Sequence, residues 1–176
     1  MVQSFKLFKG DQLWKVKINF KNVDFNSDYL ETTVEFQNRE IQLDINSDAV
    51  LGENNWVKEY EEYISKLETF KEKIDKEIIK DFENNGVTKE WVDFHSEELM
   101  ESIEENGTLD SCDKNLPIDR QILSTLKLNR IGIYPGYEDE GYYAIWDYIL
   151  DDKISNQILV IVTDKNGEIV DITWES

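Results

Sequence analysis

A nucleophilic hydrolase needs a base, usually histidine, beside an activated serine, cysteine or threonine, and this sequence offers one histidine and one cysteine. His95 lies between Trp91 and Leu99 and is followed by Ser96-Glu97-Glu98. Two readings fit that position. It is either a general base or metal ligand, or a half-buried packed residue with one ring nitrogen bonded to a carboxylate or carbonyl. The helical stripe that it shares with Trp91 and Leu99 favours packing. Cys112 sits in Asp110-Ser111-Cys112-Asp113, where neighbouring carboxylates oppose thiolate formation and so weaken the nucleophile. A structural zinc site would need an unusual set of carboxylates beside these two residues. One cysteine also excludes an internal disulfide, which fits a reducing compartment.

Carboxylates are abundant, 38 in all. Glycosidase chemistry needs two of them at a fixed separation in a cleft, and with so many acids any fold supplies pairs by chance. The runs Glu138-Asp139-Glu140 and Asp147 to Asp152 are dense in oxygen ligands. They lack the alternating acids, central glycine and terminal glutamate of the helical calcium loop. A carboxylate- or metal-based enzyme site around Asp147, Asp151 and Asp152 is the weakest of the functions weighed. The eight glycines form neither the dinucleotide nor the P-loop spacing. The expectation is therefore no catalytic residue, no metal site and no cofactor.

Aromatic residues crowd the same region: Tyr134, Tyr137, Tyr142, Tyr143, Trp146 and Tyr148. Most should pack on a sheet. Those beside the acidic run could form a recognition surface, because aromatics contribute large contact area at small entropic cost. The candidate partner-binding residues are Tyr137, Glu138, Asp139, Glu140, Tyr142, Asp151 and Asp152.

The formal charge of -19 sets up a field that repels polyphosphate and anionic headgroups, which argues against nucleic acid and membrane as partners. It is unevenly spread. Lys6, Lys9, Lys15, Lys17 and Lys21 face only Asp11, leaving about +4 over the first 23 residues and about -23 elsewhere. That segment reads as a solvated strand face. The start MVQSFKLFKGDQ has no apolar signal-peptide run, and no stretch of 18 apolar residues occurs, so a soluble cytoplasmic protein is expected.

The elements that must position these residues follow from periodicity. Trp14, Val16, Ile18 and Phe20 alternate with Lys15, Lys17, Asn19 and Lys21, which predicts a strand. Leu30 to Phe36 and Ile41 to Ile45 predict a hairpin with the loop Gln37-Asn38-Arg39-Glu40. From Trp56 to Phe82 the period becomes 3.6, with Tyr60, Tyr63, Ile64, Leu67, Phe70, Ile74 and Ile78 on one stripe, which predicts one long helix ending at Asn84-Asn85-Gly86. Thr88 should cap a second helix that runs to Asn106-Gly107. Pro117 should open a short third helix, with Ile118, Ile122, Leu123 and Leu126 inward. Strands return at residues 130–134, 142–149, 158–163 and 168–174, the last two joined by Asp164-Lys165-Asn166-Gly167, with Val170, Ile172 and Trp174 sharing one face. The predicted class is α+β: a single domain spanning residues 1–176, with a largely antiparallel sheet from the N-terminal hairpin and C-terminal strands, and one long and two shorter helices on one face.

Leu126-Lys127-Leu128-Asn129-Arg130-Ile131-Gly132-Ile133-Tyr134-Pro135, Tyr143-Ala144-Ile145-Trp146-Asp147-Tyr148, Asp164 to Gly167 and the ending Ile172-Thr173-Trp174-Glu175-Ser176 resemble the bacterial domain of unknown function two-thousand-and-four family. The helix from Trp91 to Leu99, with His95 before Glu97-Glu98, fits its middle. The N-terminal third fits more loosely. The resemblance implies a compact bacterial domain and transfers no catalytic residue.

Three functions stand open on these grounds. One is a regulatory or scaffold protein that binds another protein. The second is an immunity-type antitoxin whose acidic surface masks a basic toxin such as a nuclease. The third is the carboxylate-based enzyme named above.

Overall fold

The computed structural model describes the backbone of residues 3–7 and 14–18, and residues 29–50 and 56–176 in full. Strands β1 (Gln3–Leu7) and β2 (Trp14–Ile18) form one antiparallel hairpin, and β3 (Tyr29–Phe36) and β4 (Arg39–Asn46) a second. The helices α1 (Trp56–Ile64), α2 (Leu67–Glu83), α3 (Val87–Glu98), α4 (Met100–Glu105) and α5 (Ile118–Ser124) follow. The chain closes with β5 (Lys127–Ile133), β6 (Ala144–Ile149), β7 (Ile158–Thr163) and β8 (Ile169–Glu175). Phe20 and the lysines at positions 9 and 21 lie outside the described residues, as do the side chains of β1 and β2.

All eight strands belong to one sheet whose spatial order repeats their order in the chain. Neighbours are antiparallel except β4 and β5 at the centre, which run parallel. The helical segment causes that exception: antiparallel partners can be joined by a tight turn, but a parallel partner requires the chain to return across the sheet. This is the α+β class predicted from the sequence. It also separates the basic N-terminal strands from the C-terminal hairpin, since β1 and β8 stand at opposite edges.

One face of the sheet carries the core. Ile41, Leu43 and Ile45 of β4, Ile131 and Ile133 of β5, Trp146 and Tyr148 of β6, and Leu159 and Ile161 of β7 are buried against the α1 and α2 stripe, including Tyr60, Tyr63, Phe70, Ile74 and Ile78. Each such side chain contributes about 1.5–3 kcal/mol through the area it removes from water. A polar contact fixes the helix register. The Tyr63 hydroxyl lies 2.8 Å from Thr163 Oγ1 and accepts the Trp146 indole N–H at 3.1 Å, all three residues being buried.

The structure differs from the sequence reading at several local points. The β3–β4 connection is two residues long, Gln37 and Asn38, with φ of 50° and 62°. Positive φ at both positions matches the twist of the flanking strands, so pairing continues to Arg39 and Glu40. The long stripe is cut between α1 and α2, where Lys66 N–H bonds the Tyr63 carbonyl and the Ser65 hydroxyl takes the Glu62 carbonyl. Such a local bond competes with the helical ladder, yet leaves the apolar positions in phase. The next predicted helix is likewise divided at Leu99, into α3 and α4.

Thr88 does not cap α3. The carboxylate of Asp81, in the preceding helix, accepts the Thr88 N–H at 2.7 Å and takes that role. Asn85, at φ 56°, and Gly86 close α2 through bonds to the carbonyls of Phe82 and Asp81, as the sequence predicts for this stop. Gly86 is required by proximity, because a Cβ there would stand 1.9 Å from Asp81 Oδ1. Ile118 is exposed at the first turn of α5, while Ile122 is fully buried. In β8 a bulge opposite Val162 and Thr163 puts Val170 in solvent, 52% exposed, and gives its inward place to Ile169.

Candidate functional site

Tyr134 leaves β5 and Tyr142 leads into β6. The bond from Tyr134 N–H to the Tyr143 carbonyl, 2.9 Å, carries the pairing one step beyond the strands, so the two rings are held against each other. Tyr137 completes the group. Its ring centroid is 6.1 Å from that of Tyr134 and 5.5 Å from that of Tyr142, and Tyr134 and Tyr142 are 5.5 Å apart. Two of the three contacts are edge-to-face, the arrangement that ring quadrupoles favour. The Tyr137 hydroxyl donates to Asp48 Oδ1 at 2.9 Å, tying the cluster to the turn after β4.

Glu138, Asp139 and Glu140 form a single 3-10 turn beside these rings. None of the three forms an ion pair with another described residue. Their field reaches the phenols. The hydrogen bond to Asp48 raises the Tyr137 pKa, while burial and then the Glu140 charge raise that of Tyr142. Both therefore remain neutral hydroxyls at physiological pH. A cavity of about 290 Å³ opens between this loop and the β7–β8 turn, lined by Glu138, Gly141, Tyr142, Asp164, Lys165 and Asn166. Phenol faces and unmatched carboxylates together suit a cationic side chain.

Asp151 and Asp152 are not part of this surface. They follow the far end of β6, a strand of six residues, so roughly 20 Å separates them from Tyr142 at about 3.3 Å per residue. Asp151 accepts the Lys153 N–H at 3.0 Å and lies 3.6 Å from Lys127 Nζ. The Lys153 N–H chiefly holds its carboxyl below the usual range.

A second charged group lies on the sheet face opposite the helices. Asp44, Arg130 and Asp147 occupy the polar alternate positions of β4, β5 and β6, and strand register brings them side by side. Arg130 donates through Nε to Asp44, through Nη1 to Asp147 at 2.6 Å and through Nη2 to the Tyr134 hydroxyl at 3.2 Å. Gln42 Nε2 donates to the other Asp44 oxygen at 2.9 Å. Gly132 faces Asp44, and a Cβ at that position would stand 3.0 Å from Arg130 Nη2, so the missing side chain leaves room for the guanidinium. Asp44 is 3% and Asp147 7% exposed. Burial opposes the guanidinium charge, but its bonds to Asp44 and Asp147 prevail and raise its pKa. Burial, helped by the Asp44 charge, raises the Asp147 pKa against the opposing bond and charge of Arg130.

Sequence reasoning missed Asp44 and Arg130. The available signal was a strand-disfavoured aspartate inside an alternating run, which by itself reads only as a wet position.

His95 is fully buried on α3. Its Nδ1 lies 2.8 Å from the Trp91 carbonyl, which can only accept, so Nδ1 carries the proton. Nε2 then accepts the Ser155 hydroxyl at 3.0 Å, and Ser155 Oγ accepts the Gln157 N–H at 3.1 Å. Both ring nitrogens of His95 and the Ser155 hydroxyl are hydrogen-bonded, and these bonds pin the β6–β7 connection to α3. The packed reading of His95 thus holds, with deeper burial than expected and a serine on the second nitrogen. Burial lowers its pKa against the opposing bond to Trp91. Cys112 Sγ rests 3.7 Å from the Gln121 carbonyl and 3.6 Å from Ser124 Oγ.

Among the described residues no group of three or more His, Cys, Asp or Glu side chains is placed to hold a metal ion. No described helix is long and apolar enough to cross a membrane. Comparison with known protein families, curated proteins and solved structures finds no match to this chain.

Proposed function

We propose that the chain is a non-enzymatic protein-binding module for a basic partner, acting in the cytoplasm, and that an immunity-type antitoxin against a cationic toxin such as a nuclease is the specific form of that role. The observation that carries it is the cluster of Tyr134, Tyr137 and Tyr142 beside the unpaired Glu138, Asp139 and Glu140. The tyrosines offer rigid contact area, the carboxylates draw a cation, and the charge of -19 speeds encounter with one. The Asp44–Arg130–Asp147 group acts in this reading as support: Arg130 holds the Tyr134 hydroxyl while its Nε and Nη1 bond Asp44 and Asp147. The family resemblance, in the parts that carry β5 and β6, implies a compact bacterial domain and adds no catalytic residue.

The test is affinity capture from the native cell lysate with wild type, Tyr142→Ala, the triple variant Glu138→Gln, Asp139→Asn, Glu140→Gln, and the remote pair Asp151→Asn, Asp152→Asn. The expected result is a basic protein that wild type and the remote pair retain, that rising salt releases, and that the other two variants lose. Equal retention by every variant would overturn the assignment of the surface. Recovery of no basic protein would overturn the function.

A further inference from the structure

Strand β8 forms one edge of the sheet, and no other described strand pairs with its outer side. An edge of that kind presents N–H and C=O groups that can template pairing with another chain. The helix layer holds this one in place. The Trp174 indole N–H donates to Gln157 Oε1 at 2.6 Å, and the Trp174 ring lies 5.2 Å from that of Phe94 on α3. Ile169, Val170, Ile172, Thr173 and Trp174 are all strand-forming types, and Val170 is exposed.

Backbone groups point to alternate sides along a strand, so each residue of β8 either bonds β7 or faces outward. The Ile172 N–H faces outward, because the Asp171 carboxylate accepts it, with Oδ1 at 2.9 Å. Ile172 is the middle residue of the strand Ile169–Glu175. In the antiparallel register that overlaps two such strands fully, a two-fold axis passes between the two Ile172 residues, and each would give its N–H to the other's carbonyl. Asp171 withholds both of those donors. Each Asp171 would also stand diagonal to its counterpart on one face of the joined sheet, where like charges oppose pairing. The bulge opposite Val162 and Thr163 disturbs only the N-terminal end of the strand, which leaves residues 171–175 in regular register.

We infer that the Asp171 carboxylate closes this edge: its bond to the Ile172 N–H keeps the β8 strands of two copies of the chain from pairing, and its removal opens the edge to a second copy. The device is independent of the tyrosine surface, which it leaves free for a partner. Glu175 supplies the control, because it carries the same charge on the same face of the strand and caps no described N–H.

Two measurements on the intact chain test this. Sedimentation equilibrium reads association, and amide hydrogen exchange at Trp174, the next outward-facing N–H of β8, reports whether this edge is the one used. In wild type the capped Ile172 N–H should exchange at least about tenfold more slowly than the Trp174 N–H. Asp171 is exposed, and threonine and valine suit a strand, so Asp171→Thr and Asp171→Val should fold. Both are expected to dimerise at least about tenfold more tightly than wild type, with slowed exchange at Trp174 in the dimer, while Glu175→Thr stays with wild type. Asp171 variants that match wild type in association and exchange would overturn the inference. So would equal exchange at Ile172 and Trp174 in wild type. Glu175→Thr dimerising as tightly as the Asp171 variants would assign the effect to net charge and overturn the role of the bond.

Discussion

Asp44 and Asp147 stand on strands that do not touch, β4 and β6, and share the single guanidinium of Arg130 on the strand between them. Removing that guanidinium leaves two buried carboxylates unpaired. Arg130→Met is expected to destabilise the fold by about 3–5 kcal/mol. Adding Asp44→Asn and Asp147→Asn should recover most of the loss, because the uncompensated charges go with it. Urea unfolding of the three proteins checks this, and a triple variant no more stable than the single one would refute it.

His95 makes stability depend on pH. Its folded pKa lies below the ordinary 6.5, so at mildly acid pH the unfolded chain binds a proton that the native state refuses. The contribution is complete above the unfolded pKa and is lost as pH falls below it. The slope reaches at most about 1.4 kcal/mol per pH unit for one proton. Between about pH 7.5 and 5.5, above the range where most carboxylates titrate, the urea midpoint of wild type should fall and that of His95→Gln should change less. Parallel profiles would show that His95 is not the group responsible.

Tyr63 joins α1 to β6 and β7 through one hydroxyl. Tyr63→Phe keeps the ring contacts with Phe70 and Tyr143 but strands the Trp146 N–H and removes the partner nearest to Thr163 Oγ1. The Trp146 N–H retains only its longer contact to Thr163, at 3.4 Å. A loss of about 1–3 kcal/mol is expected, the range for leaving buried polar groups unsatisfied. Thermal or urea unfolding measures it, and a change within error would show that the remaining contact suffices.

Gly86 is needed for the route of the Asp81 carboxylate to Thr88, not for its backbone angle. Gly86→Ala should break that cap and cost about 1–2 kcal/mol. Asp81→Ala should cost a similar amount, and the double variant little more, since both act on one bond. A double-mutant cycle with fully additive losses would separate the two effects and sink the argument.

Much of the fold was legible because the apolar period is local. Ile41, Leu43 and Ile45 alternate inward as their run predicts, and the Trp56 to Phe82 stripe stays in phase across the break at Ser65 and Lys66. The turn at Asn84-Asn85-Gly86 was legible for the same reason: a residue that tolerates positive φ is a property of the chain itself. Val170 was misplaced because a bulge depends on the partner strand, and one unpaired residue reverses the faces that follow. Thr88 was misread because the competing acceptor, Asp81, comes from another helix.

The candidate site divides along the same line. Tyr137, Glu138, Asp139, Glu140 and Tyr142 could be grouped from sequence because one loop carries them, whereas Asp151 and Asp152, close in the chain, lie at the other end of β6. Charge, the alternation of β4 and the apolar stripe of α1 and α2 could be read from the chain alone, since they depend on residue type and short-range spacing. That β4 and β5 are parallel neighbours follows from the folded arrangement and not from any local pattern. That pairing brings residues 86 positions apart into one ion group, Asp44 with Arg130. That contact leaves no local period to read, because it depends on where the helical crossover returns the chain.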